Sequence, residues 1–141
     1  MEQMVSVTVV LLTRSDPSQS GHRIAQVHVV FQIPTAAVTN HKLFHPSMTP
    51  PNHVAYVEWF SPLSATRDAN HLMYKVTRST RAGRRSGAII PVESILCSVH
   101  LIPQFGSTVP QSWNTFSVLE ECHTFFINPF IDRNNYVIFG T

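Results

Sequence analysis

Charge is what this sequence has least of. Asp, Glu, Lys and Arg make up 13% of its 141 residues, about half the usual share of ~25%. The formal net charge of +2 names no partner by itself. Glycine is sparse as well, with five residues and no phosphate-cradling spacing, so nothing points to a nucleotide-binding loop. No serine stands in a G-x-S-x-G elbow. Cys97 and Cys122 are the only cysteines and are not in C-x-x-C spacing, which reads as two buried, reduced thiols in an intracellular protein rather than a disulfide framework. Long apolar runs are missing too. The stretch from Val5 to Leu12 is far too short to span a bilayer. It also starts near Glu2 instead of a basic cluster and shows no small-residue cleavage site before Arg14, so it reads as an edge strand. There is no repeat, heptad or low-complexity segment.

What is present is apolar, β-branched and aromatic. A 43% hydrophobic share over this length supports one domain with its own core. Ten prolines and the preference of Val, Ile, Phe, Tyr and Trp for pleated surfaces place it in the mostly-β class. From Arg23 to Gln32 the chain alternates, with Ala25, Val27, Val29, Phe31 and Ile33 on one face and Gln26, His28 and Gln32 on the other. Pro34 ends this strand, and Pro46, Pro50 and Pro51 mark residues 35–52 as a long loop. VAYVEWFSPL, Val54 to Leu63, puts Ala55, Val57 and Trp59 on one face and Tyr56, Glu58 and Phe60 on the other. His71 to Thr77 predicts a further strand, Arg78 to Gly87 a long hairpin tip, and Ala88 to Pro91 a short strand. Val92 to Leu96 reads as one helical turn before the sheet resumes over Cys97 to Pro103. After a loop from Gln104 to Phe116, the S-x-x-E pair Ser117 and Glu120 predicts a capped helix start, and Thr124 to Asn128 a last strand.

The chemical constellations are weak. Eight histidines and two cysteines invite a metal site, yet Cys97 and His100, and Cys122 and His123, fall at spacings that send each pair to opposite faces of a strand. His41 and His45 have helical spacing inside a proline-punctuated loop. Neighbours such as Cys122 and His123 rarely make a nucleophile and its base, because catalytic geometry is assembled from distant segments. The eight acids, Glu2, Asp16, Glu58, Asp68, Glu93, Glu120, Glu121 and Asp132, are scattered. Two-metal phosphoryl transfer would need several of them at one cavity. Glu58, inside an apolar strand, is expected to face solvent or pair with an arginine. No catalytic residue, metal ligand or cofactor is assigned, and no enzymatic activity is expected.

Two features remain. Lys75, Arg78, Arg81, Arg84 and Arg85 place half of the ten basic side chains in one acid-free stretch, which can meet phosphates of nucleic acid or simply guard a hairpin end against sheet pairing. The aromatic residues Tyr56, Phe60 and Tyr74, with Trp59 nearby, could form a pocket for a methylated lysine or a peptide, or serve as core.

The order of blocks AQVHVVFQIP, HVAYVEWFSPL, HLMYKVTRS, AIIPVESILCSVHLIPQFG and VLEECHTFFINPF, from Arg23 to Asn134, resembles the C-terminal module of fungal DNA transposon proteins of the Plavaka and Kyakuja-Dileera-Zisupton type. The resemblance implies a transposon-derived module without the catalytic domain, so no transposase acid maps onto a residue here. At fold level Val57, Trp59, Phe60, Tyr74, Ile95, Cys97, Phe125 and Phe126 also resemble the pattern of bromo-adjacent homology domains, barrels of the Src-homology-three type found in chromatin proteins. The long loop and the unmatched residues 1–20 depart from that pattern. The expectation is therefore a small, bent antiparallel barrel over residues 21–141 with one or two helical turns, preceded by a strand and linker over 1–20. It would be a non-enzymatic module that contacts nucleic acid or a chromatin protein, in an intracellular and, for such ligands, nuclear setting, with neither a membrane nor a small-molecule substrate. The alternative is a structural or protein-interaction domain detached from a transposase.

Overall fold

The computed structural model describes residues 8–13, 22–34, 36, 45, 47, 49–114, 117–131 and 133–140. His41, which the sequence pairs with His45, lies outside them, as does most of the 35–52 loop. Among the described residues, ten strands and three short helical elements follow in chain order. They are β1 (Thr8–Thr13), β2 (His22–Phe31), β3 (Val54–Trp59), β4 (Lys75–Thr77), β5 (Thr80–Arg81), β6 (Arg84–Arg85) and β7 (Gly87–Pro91), a 3₁₀ turn (Val92–Ser94), β8 (Ile95–Val99), β9 (Leu101–Pro103), α1 (Val118–Glu121), β10 (Thr124–Ile127) and α2 (Arg133–Phe139).

The domain is mostly β and antiparallel. One sheet has the order β7-β3-β2-β1-β8 and a second the order β4-β10-β9, while β5 and β6 pair alone. Two corners join the sheets. Past β3 the chain reaches β4 through a single bridge between Phe60 and Arg78 and a 2.7 Å hydrogen bond from the Ser61 amide to the Thr77 carbonyl. At the other corner His100 alone separates β8 from β9. The expected mostly-β, antiparallel class is met, with two sheets that meet at a bridge and a chain bend and no continuous ladder closing them into one barrel among the described residues.

The apolar stretch read as an edge strand supplies β1, which lies between β2 and β8. Its alternation explains the interior place. Val9 joins a cluster with Ile24, Phe60, Val76, Phe125 and Ile127, whereas Val10 and Leu12 join Ala25, Ala55 and Val57 in a second cluster. A strand buried on both faces needs neighbours on both edges. In β2 the expected single apolar face is broken by a register shift between Val27 and Val29. Ala25 faces the core, but Val29 and Phe31 come out exposed. The shift puts Val30 in place of Val29 on the Ala25 face, yet Val30 is 52% exposed as well, so this end of β2 lies outside the core.

The strand expected over His71 to Thr77 is shorter, because Leu72 takes a left-handed φ of 59° in a turn whose amide donates to the Asp68 carbonyl at 2.8 Å. The long hairpin tip expected over Arg78 to Gly87 is a tight hairpin instead. Ser117 does not form the expected capping box: its backbone is already helical and its hydroxyl donates to the Ser112 carbonyl at 2.8 Å. Helix α2 was not expected, and Phe139 at its end is buried in the first cluster.

Candidate functional site: a clamped basic hairpin

Strands β5 and β6 pair Thr80 with Arg85 and Arg81 with Arg84, leaving Ala82 and Gly83 as the turn. Both turn residues have positive φ, 52° and 74°. That is the sign pattern of the hairpin turn whose twist matches its strands. Glycine accepts this conformation freely, while alanine is strained by about 1 kcal/mol. The turn sets two guanidinium groups directly across from each other at an exposed tip, and neither Arg81 nor Arg84 has an acidic partner among the described residues. Like charges directly opposite in a hairpin repel, so the pair adds nothing to the hairpin's own stability.

The base of the hairpin is held by the third arginine. Arg85 Nη1 reaches Glu120 Oε2 at 2.6 Å and Glu58 Oε2 at 3.4 Å, and its Nη2 donates to the Glu120 carbonyl at 2.7 Å. On the far side of Glu58, His28 Nε2 approaches Oε1 at 3.4 Å. The expected pairing of Glu58 with an arginine is therefore met, and Arg85 ties β6 to β3 and α1. Burial works to raise the Glu120 carboxyl, but the Arg85 hydrogen bond and charge, together with the charge of Arg78, outweigh it and hold the group below its ordinary value of 4.5. A carboxyl depressed in the folded state contributes stability that is complete above its unfolded value and disappears as pH falls through the folded one. Glu120→Gln should cost roughly 0.5–1 kcal/mol at neutral pH, as expected for a half-exposed pair. In urea titrations over pH, the gap between the variant and the native chain should close as pH drops below 4.5.

The other two basic residues lie elsewhere. Lys75 is exposed on β4, its ammonium 5.9 Å from the Phe126 ring centre. Arg78 is only 5% exposed. Its guanidinium lies 4.5 Å over the Phe60 ring, and Nη2 donates to Gln26 Oε1 and to the Leu119 carbonyl. Burial, then the charge of Arg85, lowers its pKa to about 10, against the opposite pull of Glu120 and Glu58. It remains a cation at neutral pH, but one that no phosphate can reach.

Protein-family models, curated proteins and solved structures all give no match to this chain. The site is therefore read from its own geometry.

The three aromatic residues do not form a pocket. Phe60 has no exposed surface and packs edge-on against Phe125, with ring centres 5.8 Å apart. Tyr74 packs against that same core and receives the Arg67 guanidinium at 5.6 Å. Tyr56 lies apart from both, beside His28 and across Gly87, where a Cβ would stand 2.6 Å from its hydroxyl. Among the described residues no three His, Cys, Asp or Glu side chains gather as a metal site. Cys122 is buried and donates its thiol to the Thr124 carbonyl at 3.1 Å, whereas His123 is exposed. No helix among the described residues is long and apolar enough to cross a membrane.

Sequence reading missed the roles of Gln26 and Glu120, the acceptors of Arg78 and Arg85. Only the alternation of β2 could have pointed to Gln26. Nothing local marks Glu120.

Proposed function

We propose that this domain is a non-enzymatic binding module of transposable-element origin that contacts nucleic acid, in a nuclear setting, through the hairpin carrying Arg81 and Arg84. The observation that carries the reading is the contrast within the basic run. Arg85 fixes the base of the hairpin on two carboxylates, while the tip holds two guanidinium groups with no acidic partner among the described residues. A rigid finger with two such groups can engage neighbouring phosphates and release counterions. The transposon origin rests on the order of the strand blocks. The reading narrows the five basic candidates to two, with Lys75 as an outlying contact.

Duplex DNA anisotropy measured against salt tests it. Each guanidinium that meets a phosphate adds about 0.9 to the slope of log affinity on log salt. Replacing both Arg81 and Arg84 with glutamine should flatten the slope by about 1.8 and leave the melting temperature unchanged. A native slope near zero, or one that survives the double substitution, overturns the reading.

A second reading, a protein-interaction domain, is favoured by a different surface. Phe130, Ile131, Tyr136 and Val137 are all exposed at α2, at 72%, 52%, 46% and 60%. The Phe130 and Tyr136 rings lie 6.1 Å apart, so at least these two form one apolar patch.

A further inference from the structure

The outer strand β7 ends the five-stranded sheet, and its sequence, Gly-Ala-Ile-Ile-Pro, carries no charge. Strand edges are ordinarily protected by lysine, by bulges or by cover, and of those devices β7 has only its closing proline. Ladder geometry shows which groups are open. The Trp59 amide donates to the Ser86 carbonyl and the Val92 amide to the His53 carbonyl, a phase that directs the backbone groups of Ala88 and Ile90 at β3. By alternation the amides and carbonyls of Gly87 and Ile89 point away from the sheet. No described strand pairs with them. Pro91 has no amide, and its carbonyl accepts from Ser94 Oγ at 2.8 Å.

Beside this edge lies an open cavity of about 440 Å³, walled by Ile33, Pro50, Pro51, Val54, Ile89 and Pro91. Ile89 is 62% exposed, too much for a strand residue whose role is only to close a core. Glu93 stands on the rim, exposed and without a cationic partner among the described residues.

We infer that this groove receives an extended peptide of another protein, which adds a strand to β7, buries one aliphatic side chain in the cavity and places a lysine or arginine beside Glu93. The inference goes beyond the DNA-contacting hairpin and rests on the second reading above, to which it gives a partner class and a location. Three features select this occupant. The open Gly87 and Ile89 backbone groups call for a strand, the cavity for an apolar anchor, and the lone carboxylate for a basic flank. A second copy of the chain, pairing antiparallel about Ala88, would meet the same open groups, and hydrogen exchange of the free chain separates that occupant from a peptide of another protein.

The test is selection of phage-displayed random decapeptides on the whole chain. Enriched sequences should share an aliphatic residue flanked by Lys or Arg, and their binding should slow hydrogen exchange at the Gly87 and Ile89 amides. Ile89→Pro removes one of those amides and should weaken binding about tenfold. Glu93→Arg, on the exposed rim, should weaken it about fivefold without touching the fold. Gly87 and Ile89 amides that are already protected in the free chain would show the edge to be occupied by the chain itself or a copy, and would overturn the proposal. Peptides that ignore both substitutions but are lost on Phe130→Ser would overturn the groove and leave the interaction reading standing at α2. Failure to enrich any peptide would overturn both.

Discussion

Phe60→Ala is expected to lower the unfolding free energy by about 4 kcal/mol, and with it the melting temperature by roughly 10–15 °C. The estimate follows from three facts about one ring. Phe60 is fully buried, it packs edge-on against Phe125, and its face carries the Arg78 guanidinium. Its backbone also forms the corner between the two sheets, where its amide donates to the Ile24 carbonyl at 2.9 Å and it bridges to Arg78, the residue after β4. Truncation leaves a cavity where the sheets meet, and such a cavity relaxes only partly. Against a typical domain stability of about 5–15 kcal/mol, that loss is a large share. Urea and thermal unfolding of the variant measure it directly. A ligand-pocket role would give the opposite signature, lost binding with stability intact, and a fall of less than about 1 kcal/mol would return Phe60 to the candidate binding residues.

The strands were legible where alternation was regular. Ala55 and Val57 share a face as the alternation of VAYVEW predicts, and that face is buried, while β2, β7 and β10 fall where their apolar runs lie. Legibility failed where one residue changed the phase. Nothing in RIAQVHVVF announces the register shift after Val27, so Val29 and Phe31 were assigned to the core they do not enter. The hairpin expected over Arg78 to Gly87 is present, but its two-residue turn is not legible because the strongest sequence mark, Asn or Asp before Gly, is replaced by Ala82 before Gly83. Helix α2 contains Val137 and Ile138, poor helix formers, and is held instead by the packing of Ile138 and Phe139 on the core. The basic run was visible as composition but not as geometry. Yet one clue to its division was present: by period two Arg78, just past β4, falls on the face of Val76, and Val76 is a core residue, which already aims Arg78 inward.

Arg78→Met is expected to cost about 2–3 kcal/mol, and the sign is the informative part. Methionine keeps much of the arginine stem and its packing over Phe60, and it relieves the burial of a cation. Relief alone would stabilise the domain, since apolar replacements of buried charges are often neutral or better. Here the two acceptors decide the balance. Gln26 is 4% exposed, and both its Oε1 and the Leu119 carbonyl lose their donor when the guanidinium goes. Leaving the buried Gln26 acceptor bare costs about 1–3 kcal/mol and the part-buried Leu119 carbonyl adds to it, which together exceed the relief of a cation whose Nε and Nη1 have no partner among the described residues. The same reasoning predicts rescue. On the Arg78→Met background, Gln26→Leu removes one of the stranded acceptors and should recover about 1 kcal/mol, whereas Gln26→Leu alone should destabilise by leaving the cation less satisfied. A double-mutant cycle in urea measures both changes, with an interaction energy of at least about 1 kcal/mol expected. Strictly additive effects would mean that Arg78 acts through packing alone. A stable Arg78→Met domain with weakened DNA binding would instead make Arg78 a phosphate ligand and undo the division of the basic run into anchor, clamp and finger.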